Sequence, residues 1–432
     1  MLFGTSYDSK EAETFLRQTI GITGIGFWRK RHDEFRILIQ GNPLMASYID
    51  EKFSIERGME RALQYKRNTG KFPNMMNTSD NSILKLYSFT LMIAQVYQNL
   101  SAAGKKRLSG MLRDSLQSDH GVAPLAFEMG VAADLMRRGF DVRFNDMEGS
   151  GFDYIATRRG IQFEVECKTI SGDLGRQIHR RRLFQFGGLI SRAMSECLAS
   201  GAPQGHFARV VLPGELHGRQ EYMQELAALV ERVLRSRADF EQADIGKSDY
   251  ASFPISGSPF DLDRHGALDQ VKFNEFLKSK NIMANGNSLL KFRPKHSAVV
   301  VVLISAKPDK VVPGLLRQIK AGATQFSENV PAALCVELTN VGEDQLLRLM
   351  DAPSDLNKPT AFQVATGEFF KSSKRQHVHT LAFYAPGHFK TSTRTTGSQK
   401  ETHLQEGGRF LSYTNKRNQF APNQEYKLFG ND

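Results

Sequence analysis

The segment Phe152–Lys168, FDYIATRRGIQFEVECK, constrains this chain more than any other. Two strand-forming runs, FDYIATR and IQFEVECKTI, flank Arg159 and Gly160, so the segment reads as a β-hairpin. Side chains alternate between the two faces of a strand. Glu164, Glu166 and Lys168 therefore share one face, and Phe163, Val165 and Cys167 the other. Asp153 lies on the first arm, 13 positions before Glu166, where the hairpin can return it to that acid. Carboxylates crowded on a half-buried face repel one another and lose hydration, at a cost in free energy unless a positive charge joins them. Lys168 is one such charge. A hard divalent cation is another, since Mg²⁺ takes oxygen ligands, commonly one or two carboxylates with water and substrate phosphate. Acids that hold a cation, with a lysine nearby for a water or a phosphate oxygen, are the parts of metal-assisted phosphodiester hydrolysis. The bland alternative is a solvated hairpin face with a local Glu–Lys pair.

The residues around the hairpin extend the pattern. Pro124–Arg138 reads as a helix with an apolar stripe of Leu125, Met129, Ala132, Leu135 and Met136, ending at Gly139. Glu128 falls inside that stripe, whereas Asp134, Arg137 and Arg138 fall outside it. An acid on the core side of a helix needs a partner, and a cation on the sheet beneath would supply one. A strand is expected over Phe140–Phe144, followed by the polar loop NDMEGSG. Beyond the hairpin, RQIHRRRLFQFGGLISRAM reads as a basic helix and HFARVVLP, His206–Pro213, as a further strand. Arg176, Arg180, Arg181 and Arg182 on that helix are candidate phosphate contacts; a solvated helix face accounts for them equally well. The expected order over residues 121–215 is α-β-β-β-α-β.

That order, with Asp153 upstream of Glu166-Cys167-Lys168, resembles the PD-(D/E)XK nuclease superfamily, the restriction-endonuclease-like fold. The resemblance implies an α/β domain with a mixed β-sheet core flanked by helices. It implies that Asp153, Glu166 and Lys168 are catalytic. Asp153, Glu166 and the backbone carbonyl of Cys167 would bind Mg²⁺, with Mn²⁺ able to substitute. Glu128 corresponds to an additional helix glutamate, and Glu164, an extra acid on the same face, is a candidate ligand in place of Glu128 or Glu166. Lys168 would position or activate the attacking water, leaving 5′-phosphate and 3′-hydroxyl ends. Phe152 stands where the family often has proline. The implied partner is nucleic acid, DNA ahead of RNA, and cutting both strands would suit a homodimer or a partner subunit. A role in defence against phage or mobile elements follows by analogy alone. The alternative from another class is a catalytically silent subunit of the same fold that binds nucleic acid or a partner protein.

The remaining sequence sets the frame. At 432 residues the chain exceeds what one core usually serves. Residues 1–120 read as a mainly helical N-terminal region, with a short strand at Phe35–Gln40 and a buried core helix over Ser82–Leu100. The nuclease-like domain is expected over 121–340, with its core at 121–215 and with 296–340 either extending that sheet or forming one of its own. That stretch, Val299–Ile304, a helix through Leu316, Ile319, Ala323 and Phe326, and AALCVELT, reads as a βαβ unit with parallel pairing. Residues 341–432 form a C-terminal region, loop-like after about 388. A formal net charge of +11 suits a polyanionic partner. Three cysteines, none in a metal-ligand spacing, fit a reducing cytoplasm. Lys85, Gln95 and Gln98 interrupt the most apolar helix, and no membrane role is expected. His377 and His379 alternate on a strand candidate and could begin a metal site; half-buried strand histidines are the commoner case. GxxxxGK[ST] is absent, so no nucleotide hydrolysis by this chain is expected.

Overall fold

The computed structural model describes all residues except 1–3, 8, 146–150, 200–202, 263–267, 283–286, 340–358, 397–398, 419, 421–427 and 429–432. Most of the polar loop NDMEGSG lies outside the described residues, as does 341–358 of the C-terminal region. The chain divides into two compact units, one of Met1–Phe35, Ile49–Leu174 and Val312–Asp432, the other of Arg36–Tyr48 and Gly175–Val311.

The chain opens with β1 (Gly4–Tyr7), α1 (Ser9–Thr23), α2 (Ile25–Gly41), α3 (Met45–Lys52), α4 (Ser54–Thr69), α5 (Asn81–Asn99) and α6 (Ala102–Gln117). The strand expected at Phe35–Gln40 is helical instead. Trp28, Arg31 and Phe35 recur at helical spacing and are buried, and that longer period carries the short apolar run along in α2. The buried core helix is present as α5. Asp80 caps it by accepting from the N–H groups of Ser82 at 2.9 Å and Ile83 at 3.4 Å, and apolar residues cover nearly its whole circumference.

Next come α7 (Ala123–Arg137), β2 (Asp141–Phe144), β3 (Tyr154–Arg158) and β4 (Ile161–Ser171). Gly139 follows α7 with φ +80°, the left-handed conformation of a helix end. Arg159 and Gly160 both have positive φ, the conformation a tight hairpin between right-twisted strands requires. The second unit carries α8 (Arg180–Ala199), β5 (Gln204–Leu212), α9 (Gln220–Ser236), β6 (Phe240–Ala243), β7 (Gly246–Pro254), α10 (Gln270–Ser279), β8 (Ser288–Arg293) and β9 (Ser297–Ser305). The chain then continues through α11 (Val311–Ala323), β10 (Ala332–Thr339), α12 (Ala361–Phe370), β11 (Val378–Thr396) and β12 (Gln399–Thr414).

The first unit is built on a seven-stranded mixed sheet, ordered β2-β3-β4-β10-β11-β12-β1. β2, β3 and β4 form an antiparallel meander, β4 and β10 are parallel, and so are β10 and β11. One face, with Tyr154, Phe163, Val165 and Cys335, packs under α1, α4, α5, α6 and α7. The other, with Ile170, Leu334, Val336 and Phe383, packs under α11 and α12. The second unit has a five-stranded mixed sheet, β6-β7-β5-β9-β8, with an aromatic-rich core around Phe253, Phe260 and Phe273.

The structure is thus mixed α/β, but the expected grouping of 121–215 needs correction. Helix α8 and strand β5 belong to the second unit, where β5 lies between β7 and β9. β4 takes β10 as its parallel neighbour instead. A central strand needs a partner on both edges, and β10, buried from Ala332 to Leu338, suits a position covered on both faces. The expected βαβ pairing across 296–340 is likewise replaced: β9 pairs with β5 and β8, β10 with β4 and β11. The tail after 388 is not loop-like either. β11 and β12 form a long antiparallel hairpin, in keeping with the β-branched threonines of TSTRTT.

Candidate functional site

β4 is a central strand of its sheet, so its ionisable residues are carried into the interior. Glu164 is 3% exposed and Glu166 2%. Phe163 and Val165 pack under the helical layer that contains α7, and alternation turns Glu164, Glu166 and Lys168 toward α11. An added Cβ on Gly322 of α11 would stand 3.4 Å from Lys168 Cγ, which places the helix directly on the lysine stem.

Asp153 lies one position before β3. Tyr154 pairs with Val165, and the Asp153 N–H donates to the Val165 carbonyl at 3.1 Å, so Asp153 comes to rest against Glu166 and Cys167. Asp153 is 9% exposed, and its Oδ2 accepts the Cys167 N–H at 2.6 Å. Within a strand, the N–H and C=O of one residue point to the same side. The Cys167 carbonyl is therefore directed along the edge that holds the Asp153 carboxylate. Lys168 Nζ forms an ion pair with Glu166 Oε1 and donates to Gln325 Oε1 at 2.9 Å, with 30% of its side chain exposed. The hairpin thus brings Asp153 to the Cys167 backbone, and Lys168 pairs with Glu166 on the same strand.

The other sequence candidates are placed differently. Both oxygens of Glu164 are engaged by Ser327: Oε2 accepts its N–H at 2.8 Å and Oε1 its hydroxyl. Glu128 is half-buried on α7, whose helical layer covers the opposite sheet face from Glu164 and Glu166. Asp134, expected outside the apolar stripe, is buried, and its carboxylate accepts from Arg137 Nη2 at 2.7 Å and Arg138 Nε at 2.8 Å. Arg176, Arg180, Arg181 and Arg182 belong to the second unit. Arg176 is buried, which does not suit a solvent-facing phosphate contact, and Arg182 Nη1 donates to the Leu216 carbonyl at 2.8 Å. Arg181 is exposed.

The Cys167 thiol faces away from the acids, beside the Tyr154 hydroxyl at 3.4 Å, and burial pushes its pKa well up, so it packs as a neutral group. The two strand histidines do not share a site. His377 Nε2 is 3.4 Å from the Ala323 carbonyl, with its ring edge-on to Phe326, whereas His379 lies edge-on to Phe163 in the other core layer. A register shift at the start of the β10–β11 pairing breaks the alternation that would have aligned them. Burial lowers the pKa of His379, which favours its neutral form.

Among the described residues, no group of three or more His, Cys, Asp or Glu side chains is placed to hold a metal ion, and no helix is long and apolar enough to cross a membrane. The donors that the sheet register places near one another are two carboxylates, Asp153 and Glu166, and the Cys167 backbone carbonyl. A hard cation that completes its shell with water and phosphate oxygens needs no more from the protein, so these residues fit Mg²⁺. Gln325 and Ser327 were not legible as site residues; Gln325 lies 157 positions from Lys168, and no motif marks it. No protein-family model, curated protein or solved structure matches the chain.

Proposed function

We propose that the chain is a divalent-cation-dependent hydrolase of nucleic-acid phosphodiesters, acting on DNA in preference to RNA. The observation that carries this reading is the convergence of two buried carboxylates, Asp153 and Glu166, with Lys168 on adjacent sheet positions. The element order supports it. With the second unit set aside, the chain runs helix α7, meander β2-β3-β4, helix α11 and parallel strand β10, the order that the superfamily resemblance requires.

Asp153, Glu166 and the Cys167 carbonyl would hold the cation, which when bound would polarise the scissile phosphate and offset its developing charge. The Cys167 N–H fixes the Asp153 carboxylate beside β4. Lys168 holds its charge beside Glu166, where it would orient a water for in-line attack and exclude other placements of it. The net charge of +11 would draw a polyanion toward the protein at modest ionic strength.

The test compares wild type with Lys168→Ala on supercoiled plasmid, labelled single-stranded DNA and RNA, each with Mg²⁺, Mn²⁺ or EDTA. Metal-dependent cutting by wild type, lost in the variant, is the expected result. One observation favours the silent-binder alternative: Lys168 already neutralises Glu166, as a purely structural pair would. Equal, salt-sensitive binding by both proteins, with no cutting by either, would select that alternative.

A further inference from the structure

The turn after α11 supplies the acid face with bonds that nothing in β4 foreshadows. Gln325 Oε1 accepts from Lys168 Nζ at 2.9 Å. Two residues on, Ser327 donates its N–H to Glu164 Oε2 at 2.8 Å and its hydroxyl to Glu164 Oε1. Gly322 rests on the Lys168 stem and on Leu334, where a Cβ would stand 3.4 Å from Lys168 Cγ and 3.0 Å from Leu334 Cδ1. Gly151, just before Asp153, has φ +119° and lies against the Gln325 carbonyl; a Cβ there would come within 3.3 Å of that oxygen. The chain from Gly322 to Ser327 is thus fixed by three separate contacts, and the Gln325 amide sits between them.

We propose that Gln325 is a positioning residue for Lys168, and that Glu164 anchors the Gln325 turn and is not a cation ligand. The proposal rests on the phosphodiesterase reading above. Lysine is a point charge on a flexible four-carbon stem, and one acceptor leaves its ammonium free to swing about that contact. A second acceptor from another element removes the freedom. Glu166 on β4 and Gln325 after α11 take two of the three N–H bonds, and the third acquires a defined direction for a water or a phosphate oxygen. Gln325 can do this only if its own backbone is held, and the Ser327–Glu164 bonds hold it. The extra acid on the strand is thereby explained. Its two oxygens are committed to the turn, and the cation ligands reduce to Asp153, Glu166 and the Cys167 carbonyl.

The test uses the full chain and the variants Gln325→Met, Gln325→Glu and Ser327→Ala. Methionine keeps the length of glutamine and removes the acceptor; glutamate keeps an acceptor oxygen. Two quantities are measured. The first is the single-turnover cleavage rate on labelled DNA with Mg²⁺, beside the Kd for the same DNA with EDTA. The second is acylation of Lys168 by an amine-reactive ester at fixed pH, read by peptide mass spectrometry. Gln325→Met should slow cleavage by about 10- to 100-fold with Kd unchanged, the range expected when a catalytic group is misplaced by about 1 Å. It should also raise Lys168 acylation, while Gln325→Glu restores both and Ser327→Ala follows Gln325→Met in smaller measure. Wild-type cleavage and wild-type acylation in Gln325→Met would overturn the proposal. If wild type itself cuts nothing, the phosphodiesterase reading fails separately, and acylation decides: unchanged labelling in Gln325→Met overturns the positioning role, and raised labelling sustains it.

Discussion

Replacing His32 by glutamine would remove one titrating group from the helical layer and leave its hydrogen bond in place. His32, on α2, donates from Nε2 to the Glu56 carbonyl on α4 at 3.1 Å. Burial lowers its pKa from 6.5 to about 4, against the pull of that hydrogen bond, and the nearby Arg57 charge pushes further down. The folded chain therefore prefers the neutral ring. The stability tied to that preference is complete above pH 6.5 and is lost as pH falls through about 4. At about 1.4 kcal/mol for each tenfold change in proton affinity, the drop amounts to at most about 3 kcal/mol. Trp28 provides the assay. It is the single tryptophan of the chain, fully buried on the same helix, with its indole N–H on Thr23 Oγ1 at 2.7 Å. Its fluorescence follows denaturant unfolding of this layer without interference from the second unit. Wild type and His32→Gln should differ little above pH 6.5, and wild type should fall progressively behind toward pH 4. A stability gap that stays constant across that range would refute the burial argument. Neighbouring acids titrate in both proteins and cancel in the comparison.

Substitutions at two further positions probe the same layer. Glu56 is fully buried, accepts the Val122 N–H at the start of α7 at 2.9 Å, and has its pKa raised by burial. Stability tied to its protonated form is in place below pH 4.5 and is lost as pH rises through the raised value, so Glu56→Gln should gain on wild type as pH climbs, whereas Glu56→Ala should cost about 3 kcal/mol by stranding a buried N–H and leaving a void. Trp28 unfolding curves at several pH values check both. On α4, a Cβ at Gly58 would come within 2.1 Å of the Ser82 carbonyl oxygen of α5, so Gly58→Ala should force the helices apart and cost about 2 kcal/mol or more, seen as a lower denaturant midpoint.

The parts of the fold that were legible in the sequence are those fixed by near neighbours. Arg159 and Gly160 set the hairpin, the hairpin sets the register that returns Asp153 to Glu166, and alternation separates Glu166 from Cys167. None of these steps needs a residue more than a few positions beyond the turn. The partners of β4 on its other edge could not be read this way. β10 is an apolar run that would satisfy any buried parallel position, and nothing local distinguishes pairing with β4 from pairing with β9. The insertion of Gly175–Val311 between β4 and most of α11 is invisible for the same reason, because α8 and β5 continue a pattern that periodicity alone accepts as the next helix and strand of one core. Gln325 and Ser327 became site residues only through that long-range return.

The burial of β4 removes one reading that the alternating acids left open, the solvated face. A solvated hairpin face would leave Glu164 and Glu166 hydrated, and both are almost wholly buried on a strand with neighbours on each side. Apolar residues at those positions would stabilise a central strand more simply, since buried charge costs several kcal/mol of desolvation even when paired. The fold manages the three acids in three ways. Glu164 is held by the Ser327 N–H and hydroxyl, Asp153 by the Cys167 N–H, and Glu166 by the Lys168 ammonium. Of these three partners, the last carries a full positive charge. Glu164 is committed to a turn, and Glu166 is paired with the Lys168 ammonium. A divalent cation held by Asp153 and Glu166, as proposed above, would offset the desolvation of those two carboxylates further.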